Sequence, residues 1–165
     1  MAPSPPPGPD LWLGDRPVSV LVRGRSMEPF LRDGDRVEAV AVSPGGLTPG
    51  DLVVFEKGGE AIVHRLLAVR DGLFLEKGDG QGTGSWLPWP KTVGRVVALW
   101  REGRRVDLLA PPWPRRMAFL GRLHRWRHAA GTLSSRLPGT LLPRLAPGLF
   151  RRLPLPRWAE GRDPW

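Results

Sequence analysis

The sequence predicts a mainly β, antiparallel domain with a coiled, barrel-like sheet, followed by a basic, amphipathic helical tail. Two observations carry this. Between Val18 and Leu109, short β-branched and apolar runs alternate with Gly, Pro and Asp turn signals, with no helical period between them. From Ala110-Pro-Pro-Trp-Pro114 onward the prolines stop any strand, and apolar residues then recur at helical spacing.

Taken in order, residues 1–15 form a Pro-rich N-terminus expected to be flexible. Residues 16–110 form the β domain. Its runs are Val18 to Val22, Val37 to Val42, Leu52 to Phe55, Ile62 to Val69, Leu73 to Leu75, Val93 to Trp100 and Val106 to Leu109. Asp33-Gly-Asp35, Pro44-Gly-Gly46, Pro49-Gly-Asp51, Asp71-Gly72 and Glu102-Gly103 lie between them as turns, Asp71-Gly72 in hairpin form. Residues 111–165 form a basic, Pro- and Arg-rich tail with a helix near 115–130. Phe119, Leu120, Leu123, Trp126 and Ala130 fall on one face of that helix, and Arg122, His124, Arg125 and His128 on the other.

The 165 residues allow one domain with an appendage. Residues 1–107 hold 14 basic and 14 acidic side chains, so the whole net charge of +9 lies in residues 108–165. A basic partner-seeking surface therefore belongs to the tail. Absent cysteine excludes disulfides and thiolate metal sites. No apolar run is long enough for a transmembrane helix, and MAPSPPPGPD lacks the charge and apolar core of a signal peptide. The expected location is the cytoplasm, either free or peripheral at a membrane surface.

Three residues could carry chemistry. Ser26 follows a strand and Gly24, a good position for a nucleophile held at a cleft edge; many such serines only bond the backbone. His64 lies in Ile62-Val-His-Arg-Leu-Leu67, sharing a strand face with Ile62 and Leu66. It reads either as a core-edge histidine satisfied by a carbonyl or as the base a serine needs. Asp79 follows a strand in Glu76-Lys-Gly-Asp-Gly80 and reads either as a turn residue or as the carboxylate orienting the histidine.

The order of these residues and their surroundings resembles the type I signal peptidases. Gly24-Arg-Ser-Met-Glu-Pro29 is similar to their G-x-S-M-x-P box, and Arg32-Asp-Gly-Asp35 follows it. Gly50-Asp-Leu-Val-Val-Phe55, Ile62-Val-His-Arg65, Lys77-Gly-Asp79 and Val93-Gly-Arg-Val96 resemble later boxes, so the likeness covers about residues 20–100. With His at position 64, it is to the Ser/His branch. The resemblance implies a serine endopeptidase working through an acyl-enzyme, with Ser26 as nucleophile, His64 as general base, Asp79 orienting His64 and the Ser26 backbone N–H as one oxyanion donor. It implies no cofactor and no metal, and a peptide or protein substrate bound as an extended strand. The family's usual K-G-D-N turn ends here in Gly80. LexA-type repressors share the fold but use Lys as base, and Lys57, Lys77 and Lys91 lie in other contexts. The competing expectation is a catalytically inactive module of the same fold that binds a peptide or a membrane.

Three expectations compete for the tail. The helix packs its Phe119/Leu123/Trp126 stripe on the β domain, or lies on an anionic membrane surface, or binds nucleic acid, for which no recognised motif is present. His124 and His128 have the i, i+4 spacing of zinc ligands, but no third ligand is nearby.

Overall fold

Leu52-Val-Val-Phe55 places apolar side chains at four successive positions, so a strand built from it must be covered on both faces. In the computed structural model, which describes residues 16–89 and 93–136, all four are buried. Leu52 and Val54 face one core cluster with Val20, Met27, Phe30, Leu31, Val37 and Leu99; Val53 and Phe55 face a second with Leu66, Phe74 and Val93. The sheet thus runs between two apolar layers.

Its strands are β1 (Val18–Leu21), β2 (Arg36–Ala41), β3 (Leu52–Lys57), β4 (Glu60–Arg70), β5 (Leu73–Lys77), β6 (Ser85–Pro88), β7 (Val93–Arg101) and β8 (Arg104–Asp107). They form one sheet in the order β1-β2-β7-β3-β4-β5-β6, with β8 also on β7, and every pairing is antiparallel. The mainly β, antiparallel expectation therefore holds. The sheet does not close into a barrel, because β1 and β6 stand at opposite ends of that order. The β3–β4, β4–β5 and β7–β8 hairpins all turn on two residues of positive φ, such as Asp71 at 51° and Gly72 at 73°. That geometry matches the twist of the flanking strands. Strand β6 has no counterpart among the expected runs. It is short, ends in Pro88 and lies at the sheet edge, where a missing N–H is tolerated. Strand β8 starts two residues before the expected run, directly after the Glu102-Gly103 turn.

Helix α1 (Trp113–Arg136) extends at both ends beyond the expected 115–130. Its packing face differs from the expected stripe. Trp113, Met117, Leu120, Gly121 and His124 are buried, whereas Phe119 is 42 % and Trp126 50 % exposed. Counting apolar residues selected the wrong face. The buried face is chosen by close approach and by polar partners on the sheet. A Cβ on Gly121 would lie 2.5 Å from the Gly50 Cα, and one on Gly50 would lie 2.5 Å from the Met117 carbonyl oxygen. Two glycines thus bring helix and loop backbones into contact. Gly121→Ala gains about 1 kcal/mol of helix propensity, yet the overlap reverses the sign. The expected result is a net loss of about 1–3 kcal/mol, read from the urea midpoint, because backbone cannot swing aside as a side chain can.

No helix among the described residues is long and apolar enough to cross a membrane. The Pro-rich segment 1–15 and the tail beyond 136 lie outside the described residues.

Candidate active site

Strand β1 leads into a run of turns that presents Ser26. Below it, Met27, Phe30 and Leu31 are buried in the first core cluster. The turn is also tied internally. The Gly24 amide donates to Asp33 Oδ1 at 2.7 Å, and the Arg32 amide donates to Asp35 Oδ2 at 2.8 Å. Buried Arg101 donates to both Asp35 oxygens at 2.9 and 2.6 Å, and to the Phe30 carbonyl at 2.8 Å. Such a bidentate pair fixes orientation as well as position. From the other side, the Gly80 amide donates to the Ser26 carbonyl at 2.8 Å. A Cβ on Gly80 would lie 2.9 Å from the Arg25 carbonyl oxygen, and one on Gly78 would overlap the Ser26 carbonyl oxygen. Glycine at position 80, where the K-G-D-N pattern has Asn, thus fits a tight backbone contact in this chain. At Gly24 there is open space and a φ of 78°.

His64 is buried on β4, on the face that carries Leu66, with its ring edge-on to Phe55 at 6.3 Å. Its Nε2 lies 3.2 Å from the Ser26 Oγ, a hydrogen bond across 38 residues of sequence. Its Nδ1 makes a short contact with Glu76 Oε2. Glu76 is 3 % exposed, and exposed Lys57 approaches its other oxygen at 3.9 Å. A neutral imidazole that donates from Nδ1 to Glu76 leaves the Nε2 lone pair to accept the Ser26 hydroxyl proton. Serine, histidine and carboxylate therefore stand in line.

Asp79 does not take the place expected for it. Its carboxylate accepts from Arg65 Nε at 2.7 Å and Nη2 at 2.5 Å, on the opposite face of the β4–β5 pair from His64. A one-residue bulge between Leu66 and Ala68 shifts the register, so that Leu66 lies opposite Glu76 and Arg65 opposite Lys77. Glu76 thereby shares the face of His64, one diagonal step along the ladder. No signal in the strand pattern announces that bulge.

Arg65, Lys77 and Asp79 form a second, fully buried polar cluster with His124 of α1. Arg65 also donates to the Gly50 carbonyl at 2.8 Å, and its guanidinium lies 5.2 Å from the centre of the Phe30 ring. Lys77 Nζ lies 3.2 Å from His124 Nδ1 and 3.1 Å from the Gly78 carbonyl. His124 Nε2 lies 3.3 Å from Asp79 Oδ1. A neutral His124 protonated on Nε2 satisfies both contacts, accepting from Lys77 and donating to Asp79. Burial lowers the Lys77 ammonium to about 8, with Arg127 and Arg65 adding to the effect against Asp79. Burial raises the Asp79 carboxyl, but the charge and hydrogen bonds of Arg65, with His124 and Lys77, outweigh it and hold the group below its ordinary value.

The His124 imidazole is pushed from 6.5 down to about 4, chiefly by burial and then, against the pull of Asp79, by Lys77, Arg65 and Arg127. The unfolded chain therefore binds more protons than the folded one between these values, so stability falls as the pH drops from 6.5 to 4. The loss is on the order of 3 kcal/mol. His124→Gln, which can donate and accept at the same places, is expected to flatten this limb when urea midpoints are compared at pH 7, 5.5 and 4.5. Asp79, whose value is lowered, contributes its own loss only below its unfolded value of 3.8.

His128 Nδ1 accepts from the Gly84 amide at 3.0 Å, so the two i, i+4 histidines each meet a different partner on the β5–β6 side. Among the described residues no group of three or more His, Cys, Asp or Glu could hold a metal ion.

Known proteins add nothing to this geometry: no protein-family model matches the chain, and no match is found among curated proteins or solved structures.

Proposed function

We propose that the chain is a serine endopeptidase, and the observation that carries this reading is the Ser26–His64–Glu76 alignment. Ser26 Oγ lies 3.2 Å from His64 Nε2, within the reach a general base needs. In the proposed reaction, His64 Nε2 takes the Ser26 proton as Oγ adds to a peptide carbonyl. Glu76 holds the ring in the required tautomer and stabilises the imidazolium that forms. The imidazolium then gives its proton to the departing amine, leaving an acyl-enzyme that water hydrolyses by the same path reversed. The Ser26 backbone N–H is one oxyanion donor. Gly24, two residues earlier, has no side chain to supply a second. The six sequence boxes that resemble type I signal peptidases support the same reading. They favour an extended precursor or leader peptide as substrate.

The test is a mixed peptide library incubated with the purified chain and with Ser26→Ala, with cut sites read by mass spectrometry. Cleavage by the wild type alone supports the proposal, and the cut sites define the substrate class. Cleavage that persists in Ser26→Ala removes Ser26 as nucleophile. A wild type that cuts nothing, in the presence or absence of anionic lipid, favours the inactive binding module.

A further inference from the structure

Helix α1 presents to solvent a face that the site does not use. Arg115, Phe119, Arg122 and Trp126 are all exposed and follow one another at spacings of four, three and four residues. At 100° per residue they lie within about 60° of one another, opposite the buried Met117, Leu120, Gly121 and His124, so Arg122 shares the face of Phe119 and Trp126 and does not lie on the opposite face where the sequence pattern put it. Exposed Arg125 borders the stripe. The helix carries six arginines and no Asp or Glu. Phe119 and Trp126, 42 % and 50 % exposed, are two of the most exposed large apolar residues described.

We propose that this outward face of α1 docks on an anionic lipid bilayer. The charge is complementary along the whole helix, with no acidic side chain to repel a negative surface. The alternation of ring and guanidinium matches the two layers of a bilayer interface. Phe119 and Trp126 enter the acyl boundary while Arg115, Arg122 and Arg125 stay at the headgroup phosphates. A single helix face is a convex ridge. It suits a broad planar surface better than a nucleic-acid strand, which is usually gripped in a groove. The buried face of α1 remains on the sheet throughout, so docking does not require the helix to leave the domain. The proposal does not depend on peptidase activity.

The experiment is co-sedimentation of the full chain with phosphatidylcholine vesicles and with vesicles of phosphatidylcholine containing 30 mol% phosphatidylglycerol. The wild type is expected to pellet with the anionic vesicles, weakly with neutral ones, and less as salt rises. Phe119→Ser with Trp126→Ser, and separately Arg115→Gln with Arg122→Gln, should each weaken partitioning roughly tenfold or more. Both pairs replace outward side chains, and unchanged urea midpoints confirm that the fold is kept. Failure to pellet with anionic vesicles overturns the proposal. So does pelleting that neither double variant weakens, which would place lipid binding elsewhere in the chain. Loss of single-stranded polynucleotide binding in both variants with vesicle binding intact assigns the face to nucleic acid instead.

Discussion

Replacing His64 with Ala is expected to lower the turnover of a cleaved peptide by on the order of 10⁴-fold or more, with Ser26→Ala equally inactive. The geometry gives Ser26 no other base in line, since His64 Nε2 is the group at 3.2 Å from its Oγ. Because the two residues act as a unit, the double variant should lose little more than either single one. Glu76→Gln probes the third position. The amide of Gln can donate to His64 Nδ1, which favours the tautomer with its proton on Nε2, facing Ser26. Turnover should then fall by roughly 10²–10⁴-fold with KM nearly constant. Asp79→Asn should not reproduce this signature, because Asp79 bonds Arg65 and not His64. Single-turnover measurements on the best library peptide check all five variants. An Asp79→Asn loss of the Glu76→Gln kind, with Glu76→Gln near wild type, would reverse the assignment.

The largest expected loss of stability follows Arg65→Met. Arg65 is fully buried and its guanidinium meets both Asp79 oxygens and the Gly50 carbonyl. Methionine fills much of the volume but leaves the Asp79 carboxylate buried with only His124 and Lys77 near it. Breaking one side of such a pair costs about 3–5 kcal/mol, mostly as the uncompensated charge. Arg65→Lys should recover only part, because an ammonium cannot span both carboxylate oxygens and the Gly50 carbonyl. Urea unfolding at pH 7 measures both. The effect should extend to the site, since the Asp79 turn carries the Gly80 amide that holds the Ser26 carbonyl. A soluble Arg65→Met chain of wild-type midpoint would show that the cluster contributes nothing to the fold.

The arithmetic of the β4–β5 hairpin separates what was legible from what was not. Asp71-Gly72 marks the turn in the sequence, and counting outward from it pairs Arg70 with Leu73 and Val69 with Phe74, as observed. Continued without interruption, the same count sets position 79 opposite position 64, which agrees with the expected His64–Asp79 pairing. The bulge at Leu66–Ala68 removes one step from the ladder. Because side chains alternate with a period of two, one step moves Asp79 to the face of Arg65 and brings Glu76 to the face of His64. The third site residue therefore depends on a single irregularity that neither composition nor alternation reveals.

The helix teaches the same lesson in another form. Its existence was readable from the spacing of apolar residues after the proline run, but its orientation was not. Hydrophobicity favoured Phe119 and Trp126 as the packing face. Contact between Gly50 and Gly121, and the partners waiting for His124 and His128 on β5 and its turn, turned the helix the other way. The sequence by itself determined local matters: the antiparallel strands, their turns, the doubly buried β3, and Ser26 and His64 as the candidate pair. Tertiary structure decided which carboxylate reaches the histidine, which helix face meets the sheet and that the sheet stays open. These depend on register and close approach between segments far apart in the chain, and no local pattern carries that information.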